Sequence, residues 1–351
     1  MIKKYSNNIF ALHTWAGIMA GLGLLLLSLT GSILLFQHNI DHAFYEPELE
    51  STHETESGVA YDKALATIRE AYPHWNIRIH LKPAQASRPL LFDLRRPGKK
   101  IHVYTHPATG KILSELSERS SVTMIALKLH YSLMAGLSGR IIVAILGMLF
   151  LLSLLTGLYL YRNKLLKMLS FQWTTNKRRR RKKYAFWHNL VGTWSLIFNL
   201  LIAITGLYLC YLVVANGFRI TGQQEQPNPP AIHASLATVL ANVTDSHPGF
   251  TPSYIKLPVA PASVITVYGS MQDDFFLFDH YANRLTVHPK RGSLEKRYFM
   301  RNQPTTTQLA ALMKPLHAGE FGGLAIRILY LLAGLSIPVL SITGYLVNWK
   351  R

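Results

Sequence analysis

Four stretches of this chain contain no Asp, Glu, Lys or Arg: those between Lys4 and Asp41, Arg140 and Arg162, Lys183 and Arg219, and Arg327 and Lys350. Each is longer than the roughly 20 residues that an α-helix needs to cross a bilayer, so the chain reads as four transmembrane helices. The basic residues are distributed by side. Residues 1–4, 162–183 and 350–351, which a four-span topology puts together, hold 14 of the 37 basic residues and none of the 18 acidic ones. That is the positive-inside pattern, and it places both termini and the central loop in the cytoplasm. The net charge of +19 and the run KRRRRKK at 177–183 therefore read as a topology signal facing membrane lipids, with no nucleic acid as partner. Trp15, Trp173, Trp187 and Trp349 fall near the same ends, where indoles favour the interface.

The expected organisation follows. Residues 1–36 form the N-terminus and first span, read as an uncleaved anchor; 37–139 form an outer module with its lead-in; 140–161 form the second span and 162–183 the basic loop. Residues 184–215 form the third span, 216–326 a second outer module, and 327–351 the fourth span and C-terminus. Within the first module, 61–72 has helical apolar spacing, and 75–81, 89–94 and 100–104 alternate as strands. A turn at Gly110 leads to another short strand. After the polar, proline-rich linker 221–230 the same order returns, with a helix at 231–242 and strands at 253–257, 263–268, 275–280 and 284–287. The fold class expected is an integral membrane α-helical bundle of two parallel repeats, with two small α+β modules outside.

The repeat is sharpest in the histidines. His13 and His188 each open a span, with a Thr-Gly pair, Thr30-Gly31 and Thr205-Gly206, 17 and 18 residues later. His130 and His317 precede the other two spans, each followed by an arginine ten residues on, Arg140 and Arg327, and by Thr156-Gly157 and Thr343-Gly344. Matching offsets in two halves of a membrane protein point to a duplicated unit. Histidines buried in membrane helices need a partner to offset their desolvation. Imidazoles from two facing helices suit the two axial positions of a haem iron, whereas zinc usually wants three or four protein ligands. The lone Cys210 lies inside the third span, so neither a thiolate zinc site nor a Cys-x-x-Cys-His haem attachment is possible.

At about 1.5 Å per residue, Thr30-Gly31 lies some 26 Å along its helix from His13. The glycines of one histidine level should therefore sit on the helices that carry the other. Gly31, Gly157, Gly206 and Gly344 would leave room for a flat macrocycle, and Arg140 and Arg327 would pair with its propionates or snorkel to headgroups. A pseudo-two-fold along the membrane normal suggests His13 with His188 on one non-covalent haem b and His130 with His317 on a second. These are read as cofactor-binding residues, and no residue is assigned a catalytic role.

The Leu12-His13-x-Trp15-x-Gly17 pattern, the Thr-Gly in each span and the phrase from Val103 to Lys111, VYTHPATGK, together resemble the PepSY-associated transmembrane proteins over nearly the whole chain. The second module departs, with Tyr281-Ala282-Asn283-Arg284 where Pro-x-Thr-Gly is expected. The resemblance implies a di-haem ferric-siderophore reductase of the bacterial inner membrane, reducing Fe(III) to Fe(II) on the periplasmic face so that the metal is released. The siderophore would bind outside, near Tyr131, Arg140, His317 and Arg327. Neither a GxGxxG unit nor a P-loop occurs, so the reductant is expected to be a cytosolic flavin reductase or quinol. Two other classes remain open: a non-enzymatic protein whose modules bind a peptide, protease or partner, and a haem or metal transport component.

Overall fold

The computed structural model describes residues 2–47, 59–81, 88–172, 180–220, 232–260 and 263–349. The expected linker at 221–230, Trp173, the first part of the basic run at 177–179, and 350–351 lie outside them. The chain divides into two compact units, one made of residues 1–37, 126–222 and 313–351, the other of 38–125 and 223–312.

In the first unit, four long helices, α1 (Ile2–Leu34), α5 (Gly136–Leu169), α6 (Arg180–Ile220) and α9 (Gly323–Trp349), are long and apolar enough to cross a membrane. Their helicity needs little help from local signals, because in hydrocarbon each backbone polar group must be bonded within its own helix. Each packs on two others, in the cyclic order α1, α5, α6, α9. That order puts α1 diagonal to α6 and α5 diagonal to α9. Two shorter helices, α4 (Val122–Ser132) and α8 (Thr305–Ala318), precede α5 and α9. Positive-φ residues separate each pair: Leu133, Met134 and Gly136 before α5, Gly319 and Gly323 before α9. Thus His130 and His317 ride on helices distinct from the spans that follow them. Midway along α6 the fully buried Asn199 donates to Ser195 Oγ at 2.9 Å and across to Ser336 Oγ of α9 at 3.1 Å. Such polar contacts between membrane helices lock their register.

The second unit holds α2 (Gln37–Tyr45), α3 (Tyr61–Ala71), α7 (Leu236–Ser246) and eight strands: β1 (Asn76–His80), β2 (Leu90–Arg96), β3 (Lys99–Thr105), β4 (Ile112–Ser117), β5 (Phe250–Lys256), β6 (Ile265–Met271), β7 (Asn283–Val287) and β8 (Leu294–Tyr298). Two separate small sheets were the expectation, and the structure corrects it. The strands form one sheet in the order β4-β3-β2-β1-β5-β6-β7-β8, all antiparallel. The halves join where β1 pairs with β5, with Ile79 opposite Ile255. One core results: Ile79, Phe92, Leu94, Ile255, Ile265 and Leu285 meet Ile68 of α3 and Leu236 and Val239 of α7, all fully buried. Asp62 of α3 ties the two helices, accepting from the Leu236 amide at 2.7 Å and the Ser235 hydroxyl at 2.6 Å. Alternation then puts Arg78, His80, Asp93, Arg95, Lys100, Tyr254 and Lys256 on the face away from α3 and α7.

Two local expectations also change. Residues 275–280, FFLFDH, are not a strand. Asp274 accepts from the Met271 amide and from Asn283 Nδ2, which closes the β6–β7 connection into turns. The counterpart of the first module's turn is not at 281–284 but at His288-Pro289-Lys290-Arg291-Gly292. There His288 Nδ1 accepts from the amides of Lys290 and Arg291, as His106 Nδ1 accepts from those of Ala108 and Thr109. Both turns end on a glycine with φ near +70°, Gly110 and Gly292.

Candidate functional site

The bundle brings together the four repeated histidines in two pairs. His13 of α1 and His188 of α6 face each other across the bundle diagonal with ring centroids 6.1 Å apart and planes at 80°. His130 of α4 and His317 of α8 stand at the same 6.1 Å with planes at 50°. The 17 residues from His13 to Thr30, which reaches His130, separate the levels by about 26 Å of helix rise.

Each imidazole is held in the same cradle, built by one turn of another helix. His13 Nδ1 lies 3.0 Å from the Ser153 carbonyl and 3.2 Å from Thr156 Oγ1 of α5. His188 Nδ1 lies 3.1 Å from the Leu340 carbonyl and 3.2 Å from Thr343 Oγ1 of α9. His130 Nδ1 lies 2.8 Å from the Leu27 carbonyl and 3.4 Å from Thr30 Oγ1 of α1. His317 bonds to the Ile202 backbone and lies 3.2 Å from Thr205 Oγ1 of α6. The threonine hydroxyls donate to carbonyls one turn back on their own helices, as Thr156 does to Leu152 and Thr343 to Val339. Their lone pairs therefore accept from the imidazole.

A carbonyl can only accept, so Nδ1 carries the proton and Nε2 is left with its lone pair. Among the described residues no protein group hydrogen-bonds Nε2 of any of the four. The cradle thus sets the tautomer that a metal requires and makes the ligand more basic.

The glycine after each threonine has a role that was not expected. Each lies under an imidazole, and Gly157 and Gly344 also line the cavity beside the first pair. A methyl on Gly31, Gly157, Gly206 or Gly344 would stand 3.0, 3.1, 2.9 or 3.2 Å from Cε1 of His130, His13, His317 or His188, respectively. The glycine lets the ring lie against bare helix backbone.

A cavity of about 720 Å³ opens beside the first pair, lined by His13, Gly17, Gly21, Gly157, His188 and Gly192 among mainly apolar side chains. Its volume is in the range of cofactor sites. Arg181, Asn189 and Tyr161 supply polar groups on its lining. Arg181 lies in the basic run read as topology alone, so its place here went unread. At the second level Arg140 points Nη1 at the Val213 carbonyl, 3.2 Å away, and lies over the Tyr131 ring at 5.6 Å. Its Nε is buried with no hydrogen-bond partner among the described residues. Arg327, half-buried on α9, occupies the matching sequence position.

The donor set tests what such sites hold. Among the described residues no three or more His, Cys, Asp or Glu converge on one point, so the donor set at each level is two imidazoles with no carboxylate or thiolate. Two metal–nitrogen bonds of about 2 Å in line, with half a ring at each end, span about 6 Å, which matches the observed centroid spacing. An iron held by two opposed imidazoles, with its other four ligands from a planar ring, fits this set. A bare divalent ion does not. The sequence profile of the PepSY-associated TM region matches residues 10–351, while none of the curated proteins compared with the chain matches it. With four apolar helices long enough to span a bilayer and a profile match over nearly its full length, the chain is an integral membrane protein and belongs to the PepSY-associated transmembrane family.

Proposed function

We propose that this protein is a transmembrane oxidoreductase with two bis-histidine haems b, one on His13 and His188 and one on His130 and His317, that reduces a ferric siderophore outside the bacterial inner membrane. The single observation that carries the reading is the cradle that occurs four times, each holding an imidazole with Nε2 free and each pair 6.1 Å apart. Haem iron, when bound, supplies one-electron chemistry, alternating between ferric and ferrous. The chain supplies the rest. Nδ1–H of each histidine stays on a backbone carbonyl, which fixes ring orientation and ligand basicity. Arg140, with a buried and unpartnered Nε, offers a donor to a propionate, and Arg181 offers another at the first level. The apolar spans exclude water and other ligands from the iron positions.

Parallel duplication supports two equivalent sites stacked across the bilayer. The basic termini and central loop support a cytoplasmic placement of the His13 and His188 level. Electrons would then enter from a cytosolic flavin reductase or quinol and leave to the chelate on the far side. One electron per Fe(III) yields Fe(II), which siderophores hold weakly. The test is a pyridine haemochrome assay on detergent-purified protein, before and after dithionite, followed by a ferric siderophore. About two haems b per chain, reoxidised by the chelate, are expected. Protein that stays colourless with ample haem supply would sink the reading and leave the sheet unit as the place of function.

A further inference from the structure

The face of the sheet away from α3 and α7 is cationic and aromatic in an arrangement that a merely solvated surface does not need. At its centre, where β1 meets β5, Arg78 stands directly opposite Lys256 and His80 directly opposite Tyr254. Like charges in register across two strands are destabilising, and here both are half-buried. Neither forms an ion pair among the described residues, although Asp93 of β2 stands in register with Arg78. Arg78 contacts Asn76 Oδ1 at 3.4 Å and the Tyr254 hydroxyl at 3.3 Å, which are neutral acceptors. One strand over, Lys100 stands opposite Arg95, another like pair. The buried Asp93 is committed to both of them, at 2.6 Å from Arg95 and 3.8 Å from Lys100, and Glu118 adds a second negative charge near the same pair. On the other side of Arg78 and Lys256, Tyr254 packs on Tyr268 at 5.9 Å and on Tyr281 at 5.6 Å. Burial and the neighbouring Arg78 and Arg95 charges push the Lys256 amine below its usual range.

We propose that this central patch is the docking site of the substrate, and that the substrate is a multiply anionic chelate whose metal donors are oxygens borne on aromatic rings, the catecholate class, rather than a neutral hydroxamate. The charge complementarity lies in Arg78 and Lys256, cations that form no ion pair among the described residues and would meet the anionic oxygens. The rings would pack against the Tyr254 and Tyr268 platform and His80. This rests on the reductase reading above, specifies its substrate, and replaces the docking position expected near Tyr131, Arg140, His317 and Arg327.

Gallium(III) replaces iron in such chelates and accepts no electron under these conditions, so binding is read independently of electron transfer. Full-length protein in uncharged detergent is titrated with the trianionic gallium tris-catecholate and with a neutral gallium trihydroxamate. The tris-catecholate is expected to bind at least about tenfold more tightly, and less tightly as salt rises. The double variant Arg78→Gln/Lys256→Gln is expected to lose about tenfold or more of that affinity. Lys290→Gln/Arg291→Gln, on the β7–β8 turn, is expected to lose none. Unchanged amide exchange in β1 and β5 checks that the double variant is folded, and the charge-conserving Arg78→Lys should keep most of the affinity. Equal binding of the two probes, no binding, or undiminished binding by a folded double variant overturns the proposal. Capture of anionic lipid vesicles in place of the chelate also overturns it. If dithionite-reduced protein passes electrons equally well to a ferric tris-catecholate with and without the double substitution, the reductase reading stands and this site falls. Absence of haem sinks that reading while the gallium titration still reports on the patch.

Discussion

Gly206 and Gly344 set a graded test of the cradle. An added methyl would stand 2.9 Å from His317 Cε1 in the first case and 3.2 Å from His188 Cε1 in the second. Only the former lies inside the closest approach that carbon atoms tolerate, so the ring itself must move, whereas the latter asks for a few tenths of an ångström. Gly206→Ala is therefore expected to lose most of the haem proposed for the His130 and His317 pair, and Gly344→Ala to keep the haem proposed for the other, as measured by haemochrome content per chain. Equal loss in the two variants would argue against ring contact as the cause. Thr343→Val separates packing from hydrogen bonding, because it preserves shape and deletes the hydroxyl that accepts from His188 Nδ1. The Leu340 carbonyl remains, so haem should stay bound. With haem bound there as proposed, the imidazole would be a weaker donor, and the midpoint potential of that haem should rise in a redox titration, with haem affinity falling by about tenfold to a hundredfold. The histidines, the arginines and the Thr-Gly pairs were all legible as repeated offsets. Which glycine lies under which histidine was not, because offsets within one helix do not state the order of helices around a bundle. The threonine contacts were missed for the same reason, although their constant place before the glycine was a usable signal.

The sheet shows where local pattern stops informing. Alternation marked most strands correctly, since a half-buried strand must alternate whatever it pairs with. The pairing of β1 with β5, across some 170 residues of chain, leaves no local trace. Both strands alternate in a way that suits an edge or a centre equally. The run 275–280 failed for a different reason: its aromatic residues fit a strand, but the Asp274 bonds to the Met271 amide and Asn283 override that propensity. One strand also carries a pH dependence. His102 of β3 is 8% exposed, and burial, with the Lys100 charge next in weight, lowers its pKa from 6.5 to about 3. A base whose folded pKa is depressed binds its proton more readily when unfolded, so stability is full above about 6.5, declines as pH falls below that, and levels off near 3. The loss is on the order of a few kcal/mol. Amide exchange in β2 and β3 should accelerate over that window, and His102→Gln should flatten the dependence. Asp93, held below the usual carboxylate range by Arg95 and Lys100 despite its burial, adds a further acid-side loss that the variant keeps.

Over the whole molecule the question is whether two equivalent sites act as separate units. Each cofactor would be held by one histidine from each half of the sequence: His13 from the first and His188 from the second, then His130 and His317 likewise. The cradles cross the same way within a half, α5 supporting His13 and α1 supporting His130. Neither half can thus complete a site alone, and the duplication is stabilised by mutual need. Residues that act as one unit give non-additive losses. His13→Ala and His188→Ala should each remove one haem, and the double variant no more than either. His130→Ala and His317→Ala should behave the same way with respect to the other haem. His13→Ala combined with His130→Ala should leave none, because the two levels are about 26 Å apart along α1 and share no ligand. Haem content and reduced-band position in the seven variants decide it. Losses that add within a level would mean that the facing histidines do not share an iron, and loss of both haems from any single substitution would mean that the levels fold as one.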